Sequence, residues 1–338
     1  MNAADAHEGK IGLALGAGVA RGWSHIGVIQ ALADAGIKPD IIAGTSIGAV
    51  VGGCHAAGSL DALEDFARTL NRRRIFGYLD FNLTGTGLIH GQRLGQTLHE
   101  ALGDCAIEDL SPKFVAIATE IGTGHEVWLS QGALVDAICA SYALPGIFRP
   151  VRVNRRWLFD GALVNPVPVS VCRALGARYV IAVNLNFDLT SRGTLAPQIQ
   201  MSLDDAHADG NAKAVEAGQE DFADGALNED DTAVRPRRLP NAKRLLRRQL
   251  LKGSENAPGI STVVVDAFNI VQDRIARSRL AGDPPDVMIS PKLQGIGLFD
   301  FHRAADLIER GRASVERELE TIHSEIEVRR KHGVLKSA

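Results

Sequence analysis

Gly44-Thr45-Ser46-Ile47-Gly48 sets one serine between two glycines, after the apolar run Ile41-Ile42-Ala43 and before the small-residue stretch from Ile47 to Gly53. A Gly-x-Ser-x-Gly turn between a strand and a helix holds the serine on a tight, strained bend. Its glycines stand where no Cβ fits between helix and strand. Ser46 then lies at a helix N-terminus, where free N–H groups favour developing negative charge. That suits acyl transfer through a serine nucleophile. The same pentapeptide also serves as plain close packing at a corner, and in a chain with 35 glycines both readings stay open on this motif alone.

A nucleophile needs an anion site and a base. In LALGAGVARGWSHIGV (13–28), Gly16, Gly18 and Gly22 offer backbone amides at a strand-to-helix junction and Arg21 adds a positive charge. Such a loop cradles an oxyanion or a phosphate. A dinucleotide loop needs G-x-G-x-x-G, and Arg21 occupies the third glycine position, while Asp40 opens its strand instead of closing it. An oxyanion hole fits better. Beyond Asp160 the histidines are His207, His302, His323 and His332, none in a loop suited to a base. His25 and His55 follow the two glycine motifs on helices and read as core side chains. Asp160, in WLFDGALVNPVPV, emerges at a strand end, where sites on α/β sheets collect. An Asp-Gly turn of no chemical consequence is the competing reading.

LALGAGVARGWSHIGV, GTSIGA, ATEIGTGHEVWLSQGAL, ASYALPGIFRP and FDGALVNPVPV follow one another in this order. The series resembles the patatin-like phospholipase family, and above all its bacterial single-domain cytosolic branch. The likeness covers roughly 10–187, with LQGIGLFDFHRA (293–304) resembling that branch further on. It implies a Ser/Asp dyad without histidine, with Ser46 as nucleophile and Asp160 as base. Gly44 and Gly48 fall on the elbow, and Gly16, Gly18, Val19 and Arg21 on the oxyanion loop. It further implies hydrolysis of a lipid or phospholipid ester with no cofactor and no metal. A regulatory or lipid-binding protein of the same fold with little turnover is the alternative. Ala17 and Val19 stand where the family commonly has glycine. Leu88, Ile89, Leu144, Ile147 and Phe148 suit an acyl pocket, or simply core.

Positioning these residues requires a sheet with helices close against it. Residues 10–187 alternate β-type apolar runs with helical stretches, the pattern of βα units on a largely parallel sheet. The expected fold is a three-layer α/β/α sandwich with a mostly parallel central sheet. Strands are expected near Ile11–Leu15, Asp40–Ala43, Lys113–Thr119, Val127–Leu129 and Arg178–Leu185. A hairpin from Val151–Val153 to Trp157–Phe159 turns at Asn154-Arg155. Helices are expected near 22–35, 46–58, 60–73, 91–102, 131–141 and 167–175.

The organisation expected is a flexible N-terminus (1–9), a catalytic domain (10–190), a disordered charged insertion (191–258) and a tail (259–331) of helix, strand and helix packing on the catalytic domain. From 200 to 231 ten acids face one lysine; from 232 to 252 eight Lys or Arg stand with no acid. The first composition does not bury enough apolar surface to order itself. The second holds a basic amphipathic helix, NAKRLLRRQLLK, which either pairs with the acidic stretch or touches an anionic membrane through 233–252. On the last helix Val315, Leu319, Ile322 and Ile326 form a seam that docks on the domain or pairs subunits.

A net charge of −3 carries no nucleic-acid footprint, unless a local one. Cys54, Cys105, Cys139 and Cys172 lack metal-ligand spacing and read as buried thiols of a reducing compartment. With no leader pattern and no run near the roughly 20 apolar residues of a span, the expected location is the cytoplasm, with peripheral contact at the inner membrane surface.

Overall fold

The computed structural model describes residues 9–71, 74–75, 92–186 and 260–335. The readings placed on 1–8, on Leu88 and Ile89, and on the charged stretch with its basic helix lie outside the described residues. One compact unit holds the described residues through Asn186 together with those from Ala267 onward; the first residues of the helix Ile260–Gly282 belong to a second unit, Arg192–Asp266.

Among the described residues eight strands form one sheet: β1 Lys10–Leu15, β2 Ile41–Thr45, β3 Lys113–Glu120, β4 Glu126–Leu129, β5 Val151–Val153, β6 Arg156–Asp160, β7 Ala177–Val183 and β8 Val287–Ile289. Their order is β5-β6-β3-β2-β1-β7-β8, with β4 also on β3. From β3 through β8 the neighbours run parallel, whereas β4, β5 and β6 add antiparallel pairs. The helices are α1 Ser24–Asp34, α2 Ile47–Ala56, α3 Leu60–Thr69, α4 Gln92–Leu102, α5 Leu134–Ser141, α6 Val169–Ala174, α7 Ile260–Gly282 and α8 Ala304–Lys331.

The strands are apolar throughout because both faces are covered, and successive side chains feed opposite layers. Leu13, Leu15, Ile42, Phe114, Ala116, Ile181 and Val183 join one core, with α1, α2, α5 and α8. Their neighbours Ala14, Ile41, Ala43, Val115, Ile117, Val180 and Ala182 join the other, with α6 and Ala276 of α7. The three-layer α/β/α sandwich expected from the alternation is the fold found. Strand limits moved at one informative place: β2 runs on through Gly44 and Thr45, so Ser46 is the single residue between the strand and α2.

The tail belongs to the sheet. β8 pairs in parallel with β7, and Asp286 beside it accepts from Val180 N at 2.7 Å and from Arg329 Nη2 at 2.8 Å. The α8 seam is docked: Val315, Ile322 and Ile326 are buried in the first core and Leu319 packs on it. α8 crosses α1 at backbone contact, since a Cβ on Gly27 would lie 1.9 Å from Ile308 O and one on Gly311 2.0 Å from Ser24 O. No rotamer change relieves a clash with backbone. Gly311→Ala is therefore expected to cost about 3 kcal/mol or more, lowering Tm by roughly 6–12 °C in a melt followed by circular dichroism. An unchanged Tm would mean that the helices part freely.

Candidate active site

At the carboxyl end of β2 the chain must reverse into α2 without leaving the sheet. Ser46 does this at φ 58 and ψ −123, a conformation an L-residue with a side chain rarely adopts. Gly44 and Gly48 permit it: a Cβ on Gly44 would meet Gly48 O at 2.5 Å, and one on Gly48 would meet Leu15 O at 2.2 Å. The bend is clamped from three sides. Thr45 Oγ1 donates to Asn165 O at 2.8 Å, Ser46 N donates to Ser141 Oγ at 2.9 Å, and Ser141 Oγ donates to Ile117 O at 2.6 Å.

β6 delivers the carboxylate. It joins β3 antiparallel with Asp160 opposite Ala118, which brings the strand end beside the elbow. Ser46 Oγ donates to Asp160 Oδ2 at 2.6 Å, and Ala162 N donates to Oδ1 at 2.8 Å. Thr119 Oγ1 holds Asp160 O at 2.9 Å. Asp160 is 1% exposed and Ser46 7%. Burial pushes the Asp160 carboxyl up to about 7, against the opposing pull of its hydrogen bonds from Ser46 and Ala162. Such a carboxylate is poised to exchange a proton near neutral pH.

The glycine loop enters after β1. Gly16 N donates to Val183 O, Ala17 N to Pro166 O, Ala20 N to Leu298 O and Arg21 N to Gly18 O. Among the described residues the Gly18 and Val19 amides are left without a backbone acceptor. Val19, β-branched, sits at φ 53, a second strained residue after Ser46. Gly16 O accepts from His25 Nε2 at 2.8 Å, and burial lowers the His25 pKa to about 4, keeping the ring neutral. His25 is thus a buried prop of the loop. Its Nδ1 has no partner among the described residues.

Arg21, read from the sequence as a local charge for an anion, differs in that its guanidinium is already engaged by the tail. The guanidinium is buried and donates to Ile296 O through Nε at 3.2 Å and Nη2 at 2.9 Å. Desolvation lowers its pKa to about 10 despite nearby Asp300. The physical reason is the LQGIGLFDF turn, whose carbonyls claim both Arg21 and Ala20. The thiols differ as well: Cys54 and Cys172 are buried, Cys105 and Cys139 only partly.

Ser46, Asp160 and Val19 open on one cavity of about 170 Å³. Its walls are otherwise largely apolar. α3 and α4 contribute Leu63, Phe66 and Leu98; Leu144, Ile147 and Phe148 come from the segment before β5; Phe299 and Phe301 come from the tail. Phe299 remains 48% exposed. Sequence reasoning missed Ser141, the tail phenylalanines and the Ala162 amide. Ser141 lies within the quoted ASYALPGIF block, which was the one available signal. Ser141→Ala is expected to lower kcat by about 10-fold with little change in KM, because it frees the elbow amide without touching the cavity. A change confined to KM would argue against that role. No His/Cys/Asp/Glu cluster suited to a metal occurs among the described residues.

Residues 13–173 match the family model for patatin-like phospholipase. An uncharacterized NTE family protein of Mycobacterium tuberculosis is 32% identical over 92% of this chain and 91% of its own. A lysophospholipase of Yarrowia lipolytica is 36% identical over 52% of the chain, and patatin-like phospholipase domain-containing protein 6 of Mus musculus is 32% identical over 52%. The chain spans 12% and 13% of those two longer proteins. Identity of this order along nearly the full length of both the chain and its mycobacterial relative leaves one conclusion: the chain belongs to the NTE family, within the patatin-like phospholipases.

Proposed function

We propose that the protein is a serine lipid-acyl hydrolase working through a Ser46/Asp160 dyad. One observation carries this reading above the rest: a strained serine and a buried carboxylate share a 2.6 Å hydrogen bond in the wall of an apolar cavity. As Ser46 Oγ attacks the ester carbonyl, its proton passes to Asp160 Oδ2. The Gly18 and Val19 amides take the oxyanion. Collapse transfers the proton from Asp160 to the departing alcohol and leaves an acyl-serine. Asp160 then takes a proton from water as the resulting hydroxide releases the acid, and the proton returns to Ser46.

The largely apolar walls favour an acyl chain as the part of the substrate held there. Relatives named lysophospholipase support monoacyl phospholipids as the substrate class. The test is fatty-acid release from monoacyl and diacyl phospholipids across pH. Only the carboxylate accepts a proton, so kcat/KM is expected to rise with pH through about 7. A profile flat from pH 5 to 9 would remove Asp160 from the role of base.

A further inference from the structure

One exposed feature plays no part in the dyad. The segment Arg149-Pro-Val-Arg-Val-Asn-Arg-Arg-Trp157 carries four arginines and no acid, in a chain whose net charge is −3. It forms the β5–β6 hairpin, with Val151 opposite Leu158, Arg152 opposite Trp157 and Val153 opposite Arg156. One face is anchored by Leu158, which is buried. The other lifts Trp157, 51% exposed, with the Arg152 guanidinium 5.8 Å from its ring. Ile121, whose N–H donates to Trp157 O, adds exposed apolar surface beside it. Arg156 meets Glu120 at 3.6 Å; Arg149, Arg152 and Arg155 have no ion pair among the described residues.

The turn keeps its charge against backbone preference. Asn154 and Arg155 both lie in the left-handed region, at φ 47 and 67, as a two-residue I′ turn requires. Glycine is favoured at the second position, and arginine stands there. The hairpin is also tied to the cavity at both ends: Phe148 of its wall immediately precedes Arg149, and Asp160 closes β6.

We propose that this hairpin is a docking element for an anionic phospholipid surface, with Trp157 seated at the headgroup level and Arg149, Arg152 and Arg155 on the lipid phosphates. A half-exposed tryptophan among unpaired arginines combines apolar burial with attraction to acidic lipid, as interfacial binding requires. Docking there brings the cavity wall to the layer that holds acyl esters. The proposal concerns where the protein sits, and it stands or falls apart from turnover at Ser46.

The test uses the full chain carrying Ser46→Ala, so that no lipid is consumed, sedimented with vesicles of phosphatidylcholine alone or mixed with phosphatidylglycerol. The parent is expected to prefer the mixed vesicles and to lose that preference as salt rises. R149Q/R152Q/R155N is expected to bind mixed vesicles about 10-fold or more weakly, and W157A about 5-fold more weakly. In the Ser46 background both variants should keep wild-type melting and wild-type turnover of a water-soluble short-chain ester, which sets misfolding apart from lost docking. Equal binding by parent and hairpin variants would assign adsorption to another segment, 233–252 among them, and overturn the proposal. So would a parent that ignores anionic lipid or binds nucleic acid in its place.

Discussion

Ser46→Ala is expected to lower kcat/KM for lipid esters by about 10,000-fold or more and to abolish labelling by a fluorophosphonate, read as the loss of one adduct by intact mass. The cavity offers other hydroxyls, on Ser59, Thr97 and Tyr142. None of them is hydrogen-bonded to Asp160, and burial raises the Tyr142 phenol further above its ordinary range. Only at position 46 does a hydroxyl combine a carboxylate acceptor with the outward bend of the elbow. Alanine at φ 58 is as disfavoured as serine, so the melting temperature should stay close to wild type. Ser46→Gly, which relieves the bend, should gain about 1 kcal/mol while being equally inactive. An adduct that persists in Ser46→Ala would move the nucleophile elsewhere.

Asp160→Asn is expected to cut kcat by about 1,000-fold or more and yet to make the fold more stable. The amide keeps the packing: its oxygen still accepts from Ala162 N and its nitrogen donates to Ser46 Oγ. It cannot take a proton. The gain in stability follows from the buried charge. The folded carboxyl titrates near 7, whereas an unfolded one titrates near about 4. Between those values the folded state binds more protons, so wild-type stability falls as pH rises from about 4 to 7 and levels off above. The variant has no such loss. At pH 8 it should unfold at roughly 2–4 kcal/mol higher free energy, and near pH 4 the two proteins should be alike, as chemical denaturation at both pH values would read. A variant destabilised at pH 8 would show that Asp160 serves the fold, not the reaction.

Both expectations rest on a site that forfeits stability locally. Ser46 and Val19 are strained, and a carboxylate is kept dry. Tight close-packed crossings elsewhere, such as Gly27 against Ile308, hold the scaffold that tolerates this.

Much of this was legible in the chain because the governing physics is local. Alternation of apolar runs marks strands buried on both faces, and the glycines at 44 and 48 mark a corner where helix and strand nearly touch. A serine in that corner already implies a bend that presents its hydroxyl. What the chain by itself did not determine are pairings across sequence distance. Asp160 reads either as a base at a strand end or as an ordinary turn residue, and its distance from Ser46 appears only when β6 is laid against β3. Arg21 reads as a local charge on the glycine loop, and the carbonyl that its guanidinium meets lies some 275 residues on, in the 293–301 turn. Leu144, Ile147 and Phe148 are indistinguishable from core until α3, α4 and the tail phenylalanines enclose a cavity with them. Local pattern reports which face of an element is apolar. Only packing decides whether that face meets another side chain or encloses a space, because this depends on the volumes of all its neighbours together.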